Sequence, residues 1–199
     1  LPQYDTGKKK TVISHGIDLS AWPKRPNVST DPKKLLVVHR LSRSKRLELI
    51  IEAMNLLPGY TLDIYGIEAE AQYVRERKTQ VTALQLTDRV TFHGTTPMES
   101  LSALYAKHRL ILNMASETID KTMLEAMTCG CYPMTTKRNA DAIGIPEGVT
   151  DDTPDAIADF IRRFHERSPL SADEMYSVVA TRHGLADLVK RMSSFIGPG

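Results

Sequence analysis

Cysteine, aromatic residues and long apolar runs are all scarce in this chain, and each scarcity removes a class of protein. The two cysteines, Cys129 and Cys131, stand one residue apart inside an apolar segment with no secretory segment ahead of them. They are expected as buried, reduced thiols and not as a disulfide framework. No apolar run approaches the roughly 20 residues of a membrane span. None of the six histidines has a partner at helical metal-binding spacing, so no zinc or other metal site is assigned. A net charge of +2 and 6% aromatics give neither a wide basic face nor interleaved stacking rings, which disfavours nucleic acid as a partner.

What is present is an ordinary globular composition, 41% apolar and 25% charged over 199 residues, enough for one domain with a sizeable core. Residues 1–33 are rich in Pro, Lys, Ser and Asp without either secondary-structure period, and read as an interdomain linker or N-terminal segment with a short strand at 11–14. The opening also suggests a piece of something longer. From Lys34 to Gly199 the pattern is regular. Strands are expected at 35–39, 61–65, 90–93, 110–114 and 132–136. Helices are expected at 45–56, 68–84, 98–106, 121–128, 154–167, 171–181 and 184–195. Alternation of this kind predicts an α/β domain, a single Rossmann-like doubly wound parallel sheet with helices on both faces. Ligands of such sheets bind outside the carboxyl ends of the strands, which selects the loops to inspect.

The first of these, HRLSRSKR, carries Arg40, Arg43, Lys45 and Arg46 but neither GxGxxG nor GxxxxGK, so a dinucleotide oxidoreductase or a P-loop phosphotransferase is disfavoured. Positive charge at that edge, running into a helix N-terminus, suits a phosphate or diphosphate; a solvated basic loop is the plain alternative. In ASETIDKT, Asp120 is expected as the N-cap of the following helix, and Lys121 is a cation in a first turn, where the helix dipole disfavours it unless an anion is bound. Glu117 in that loop and Glu125 one turn into the helix could accept hydrogen bonds from vicinal hydroxyls, a ribose on one side and a sugar on the other. A capping or surface role for Glu117 and a salt-bridged helix face for Glu125 stay open. Gly94, after VTFH, lets a ligand lie close to backbone amides, and Gly66 permits the same; His93 is read as a packed strand end before a catalyst.

Taken in order, SHGIDLSAW, VVHRLSRSKRLELIIEAM, LDIYG, VTFHGTTPMESLSALYAK and SETIDKTMLEAMTCGCYPM resemble the C-terminal domain of retaining GT-B glycosyltransferases, the large family 4 group, over residues 11 to 145. The resemblance implies one half of a GT-B fold that holds a nucleotide-sugar donor (a UDP-, GDP- or ADP-sugar), with no cofactor and no catalytic metal, in a glycosyltransferase of hexosyltransferase type. It implies that Arg40 and Lys45 grip the donor diphosphate and that backbone amides near Lys121, Thr122 and Met123 cradle the phosphates or sugar. Glu125 would then bind the ribose, Glu117 would face the donor sugar, and the segment at His93 and Gly94 would lie against the nucleobase. The acceptor half, an N-terminal domain, would be missing, leaving a fragment that binds donor without transferring sugar. A cytoplasmic location is implied, with any peripheral membrane contact made through that N-terminal domain.

Three departures accompany the resemblance. Thr118, Ile119 and Asp120 stand where the family has Gly-Phe-Gly, placing a carboxylate near the donor. His39 replaces a small residue before Arg40, and His15 stands where Asn is common before Gly16. A noncatalytic nucleotide- or phosphosugar-binding module is therefore the rival reading. The helix around 180–196 is expected to leave part of its apolar face exposed, because it resembles the segment that crosses to the other half.

Overall fold

Between residues 34 and 135 short buried strands alternate with amphipathic helices, as the periodicity predicts. In the computed structural model, which describes residues 16–22, 24, 26, 28, 31–116, 119–166 and 170–196 without the side chains of 165, 195 and 196, the order is β1 (Lys34–Val38), α1 (Leu47–Asn55), β2 (Thr61–Tyr65), α2 (Ala71–Ala83), β3 (Val90–Gly94), α3 (Met98–Ala106), β4 (Leu110–Asn113), α4 (Lys121–Thr128) and β5 (Tyr132–Thr135). Four further helices follow, α5 (Lys137–Ile143), α6 (Pro154–Glu166), α7 (Ala172–Arg182) and α8 (Leu185–Ile196). The expected strand at 11–14 and His15 lie outside the described residues.

The five strands form one parallel sheet in the order β3-β2-β1-β4-β5, with helices on both faces. Right-handed crossovers put α1 and α2 on one face while the chain steps outward to β3; the return to β4 reverses the direction and puts α3 and α4 on the other. All of β4 and β5, and all but the first residue of β1, are buried. That is the continuous apolar signature of strands covered on both sides. Helix α6 packs beside α1 and against the start of β5, where Tyr132 lies 5.2 Å from Phe164 and 6.4 Å from Phe160 between ring centroids.

Side-chain hydrogen bonds tie α1 to α2. The Tyr73 hydroxyl, fully buried, accepts the Leu47 N–H at 2.8 Å and donates to Glu48 Oε2 at 2.5 Å. The first turn of α1 thereby gains a partner for an otherwise unpaired donor. Tyr73→Phe leaves that amide buried without an acceptor, and urea unfolding is expected to report a loss of about 1–3 kcal/mol.

The structure departs from the expected elements in two places. The basic loop contains a 3-10 turn, Arg43–Lys45, ending at Arg46 in the left-handed region (φ 51°), so α1 starts at Leu47 and not at residue 45. Helix α5 was not expected: Thr136, read as the end of a strand, also accepts the Asn139 N–H and caps a short new helix. Cys129 and Cys131 are both buried. From the segment read as linker, Ile17 and Trp22 join the core, and Ile17 exchanges backbone hydrogen bonds with His183 (2.8 Å) and Leu185 (2.9 Å). On α8, Leu185 and Met192 are each 46% exposed and Val189 54%, so the apolar face is left open as expected, with Leu188 half-buried.

Candidate functional site

The sheet reverses its winding between β1 and β4, so the loops leaving these two neighbouring strands splay apart and open a crevice at their carboxyl ends. Residues 39–46 line one side. Residues 114–116, 119 and 120 and the N-terminus of α4 line the other.

The four cations of the first loop have separate fates. Arg43 turns outward to Glu76, with Nη2 at 2.9 and 3.0 Å from its two carboxylate oxygens. Arg46 reaches across the crevice, donating from Nε to the Met114 carbonyl at 2.6 Å and pairing with Asp152 at 2.5 Å. Lys45 is buried, and its Nζ lies 2.5 Å from Asp120 Oδ1. Arg40 is exposed and has no ion pair among the described residues. Beside them His39 is buried and donates from Nδ1 to the Arg40 carbonyl at 2.9 Å. Nε2 is then an acceptor, buried and without a partner. Burial pushes the His39 imidazole down to about 4, so it is neutral at ordinary pH.

Asp120 occupies the N-cap position of α4, but its side chain makes no capping bond, contrary to the expectation for that residue. Its second oxygen accepts from Asn113 Nδ2 at 2.6 Å, and Asn113 is itself held by the Ala115 N–H at 3.0 Å. The first turn of α4 holds Lys121, exposed, and Thr122, whose Oγ1 is buried without a partner. The Met123 side chain is buried and its N–H donates to the Asp120 carbonyl at 3.0 Å, so that amide is already engaged. One turn on, Glu125 is half-buried; Tyr105 donates to its Oε2 at 3.4 Å. Burial raises the Glu125 carboxyl, and the Tyr105 bond and the Lys121 charge oppose that shift. Glu117 and Thr118 lie outside the described residues.

His93 and Gly94 lie at the end of β3, two strands from β1 and therefore about 10 Å away. The pairing skips His93: Ile64 faces Phe92 and Tyr65 faces Gly94, so His93 is the extra residue of a bulge. The bulge re-aims its ring, which stacks on Tyr65 at 4.4 Å and 8°. Asp63 accepts from His93 Nε2 at 2.6 Å, with Lys34 at 3.2 Å and His108 at 3.5 Å. The His108 contact, then His93 and Lys34, hold the Asp63 carboxyl well below the usual carboxylate range.

Lys45 is joined to the start of α4 through Asp120, Arg40 stands exposed in the same loop as Lys45, Glu125 lies one turn along α4, and His93 with Gly94 forms a separate shoulder. Sequence reasoning did not single out Asn113, Asp63 or Tyr105. A polar residue ending the apolar run LILN and a carboxylate inside TLDIY were signals that could have found the first two.

A family model for glycosyl transferases group 1 matches residues 19–173, most of the chain and the whole of this crevice. The chain belongs to the glycosyl transferases group 1 family. Solved structures agree with this family membership at the level of the fold. HepE of Anabaena in complex with UDP and glucose superposes with a TM-score of 0.77 at 21% identity, covering 94% of this chain and 56% of that one. Sucrose-phosphate synthase from Thermosynechococcus elongatus gives 0.82 at 20% identity, covering 98% and 54%. TarM gives 0.79 at 15% identity, covering 99% and 41%. No curated protein sequence matches the chain significantly. The chain spans about half the length of the first two of these structures, and its five-stranded sheet is one Rossmann-like half of the GT-B arrangement.

Proposed function

We propose that this chain is the donor-binding half of a retaining glycosyltransferase of the family 4 group, taking a nucleoside-diphosphate sugar for transfer to a glycan, glycolipid or similar acceptor. The observation that carries the reading is the strand order, which sets the loop after β1, with Arg40 and Lys45, beside the loop that enters α4 at the topological switch point. Cations and helix N-terminal amides facing one crevice are the arrangement a diphosphate needs, and they stabilise charge as it builds on the leaving group. Glu125, one turn along α4, is positioned to accept from the ribose hydroxyls, and the His93–Gly94 shoulder to flank the base. Glu117 is assigned to the donor sugar as a contact and not as a nucleophile, with an oxocarbenium-like state carrying retention.

The reaction is read as metal-independent and of hexosyltransferase type, with no cofactor beyond the donor. The other half of the protein would supply the acceptor site, cover the exposed Leu185, Val189 and Met192 stripe, and provide any peripheral membrane contact in the cytoplasm. Alone, this half would bind donor without transferring sugar. The ion pair that Asp120 makes with Lys45 favours a second reading, recognition of a nucleotide without turnover.

Calorimetric titration with UDP, GDP and ADP tests the reading; UDP is tried first because HepE was solved with it. Saturable binding of one nucleotide is expected, weakened at least about tenfold by Arg40→Ala, the scale of one hydrogen bond to a charged group. Absence of binding by all three at millimolar concentration would sink it.

A further inference from the structure

Lys45 is a buried ammonium, and a buried charge persists only where an anion and hydrogen bonds compensate it. The compensating anion here is internal. Asp120 lies at the entrance to α4, in the position whose side chain ordinarily accepts an N–H from its own helix, yet it makes no such bond. Both carboxylate oxygens are instead engaged from below, by Lys45 at 2.5 Å and by Asn113 at 2.6 Å. A carboxylate at the entrance to a helix thus serves as the counter-ion of a buried cation and not as a cap. In the same two loops the His39 Nε2 and Thr122 Oγ1 atoms are buried without partners, Arg40 carries exposed charge with no ion pair among the described residues, and Lys121 is exposed and acts on Glu125.

We propose that Asp120 is an internal competitor for the donor diphosphate. Its carboxylate holds Lys45 in the unliganded protein, and a second phosphate can use that lysine only when Asp120 has left it. The inference rests on the reading of the ligand as a nucleoside diphosphate. Its consequence is one of specificity. With Lys45 already neutralised, a β-phosphate adds little to binding, so the site distinguishes a nucleoside diphosphate from a monophosphate far less than its cations suggest. Two anions on one ammonium repel at short range, where little water screens them.

The test compares UDP with UMP, by calorimetry on the 199-residue chain, for the wild type and for Asp120→Asn. Asparagine keeps the shape and the acceptor for Asn113 but carries no charge; Asp120→Ser, which suits an N-cap, serves as a second variant should the first not fold. Both are checked for folding by circular dichroism. The expected result is a selective gain: UDP binds at least about tenfold more tightly to the variant, the scale of one charge-assisted hydrogen bond, while UMP changes little. Equal gains for UDP and UMP would mean a general loosening of the loop and would overturn the proposal. Unchanged UDP affinity would overturn it too, leaving the donor-binding reading intact. Where GDP or ADP binds in place of UDP, that diphosphate and its monophosphate are compared instead; binding of none of the three diphosphates to any of these proteins would overturn both readings.

Discussion

Replacement of Gly66 by alanine is expected to destabilise the chain by at least about 3 kcal/mol, the upper part of the range for overpacking a filled site. A Cβ built on Gly66 would lie 1.8 Å from the His39 carbonyl oxygen and 2.9 Å from its carbon. These are backbone atoms at the exit of β1 and cannot rotate aside. The exits of β1, β2 and β3 are also laced together, His39 N–H to the Tyr65 carbonyl at 3.2 Å and Gly66 N–H to the Gly94 carbonyl at 2.8 Å, so moving His39 or Gly66 breaks hydrogen bonds in a parallel sheet. Gly94 supplies the control. It has φ +74° but open space where a Cβ would go, so Gly94→Ala should cost only the left-handed penalty of about 1–2 kcal/mol. Urea unfolding of both variants checks the pair. Equal losses would mean that backbone conformation, and not the closeness of His39 to Gly66, is what the glycine serves.

Acid should weaken the fold well before its carboxylates titrate in bulk, because of His39. Burial holds this imidazole at about 4, against about 6.5 in an unfolded chain. Between those values the unfolded chain binds a proton that the folded chain refuses, so folding stability decreases as pH falls. The loss begins near pH 6.5, approaches about 1.4 kcal/mol per pH unit, and levels off below pH 4 at about 3 kcal/mol in total. Two other groups act differently. Glu125, raised by burial, takes up its proton early in the folded state and offsets part of the loss. Asp63, held low by His108, His93 and Lys34, begins to lose its contribution as the unfolded chain's carboxylate protonates, at about pH 4, and goes on losing it below that, where His39 has levelled off. Denaturant unfolding at steps from pH 7 to pH 4, with His39→Asn in parallel, measures the effect. The wild type should show the slope and the variant should be nearly flat; identical slopes would assign the acid sensitivity to another group.

Much of this fold was legible in residue order. Runs such as LLVVH and TLDIY, separated by amphipathic segments with apolar residues such as Leu47, Ile50, Ile51 and Met54 on one face, marked strand and helix to within a few residues. Helix α5 was not legible because its N-cap, Thr136, directly follows the last residue of β5, and seven residues give a weak period. The site was legible as a place more than as a set of contacts. A cluster of four cations after the first strand pointed to a loop at the carboxyl edge of the sheet, but nothing local says that Arg43 will be claimed by Glu76 from α2, or that Arg46 will cross to the Met114 carbonyl. Asp120 shows the limit most clearly. Its neighbours in sequence mark it as an N-cap, and its neighbours in space, Lys45 and Asn113, take both its oxygens. The stacking of His93 on Tyr65 depends on a bulge, which alternation alone does not announce.

The strand order has a kinetic consequence. Every pairing in the sheet is parallel, so no hairpin is available as an early, local nucleus, and the central pairing joins Leu35 to Leu110 across two intervening strands and three helices. Chains dominated by such distant contacts close large loops before they are rewarded, and fold slowly. The crevice lies on that last seam. Lys45 cannot meet Asp120 until β4 has docked beside β1, so a chain with β1 to β3 already assembled would still expose an uncompensated ammonium at the open edge of its sheet.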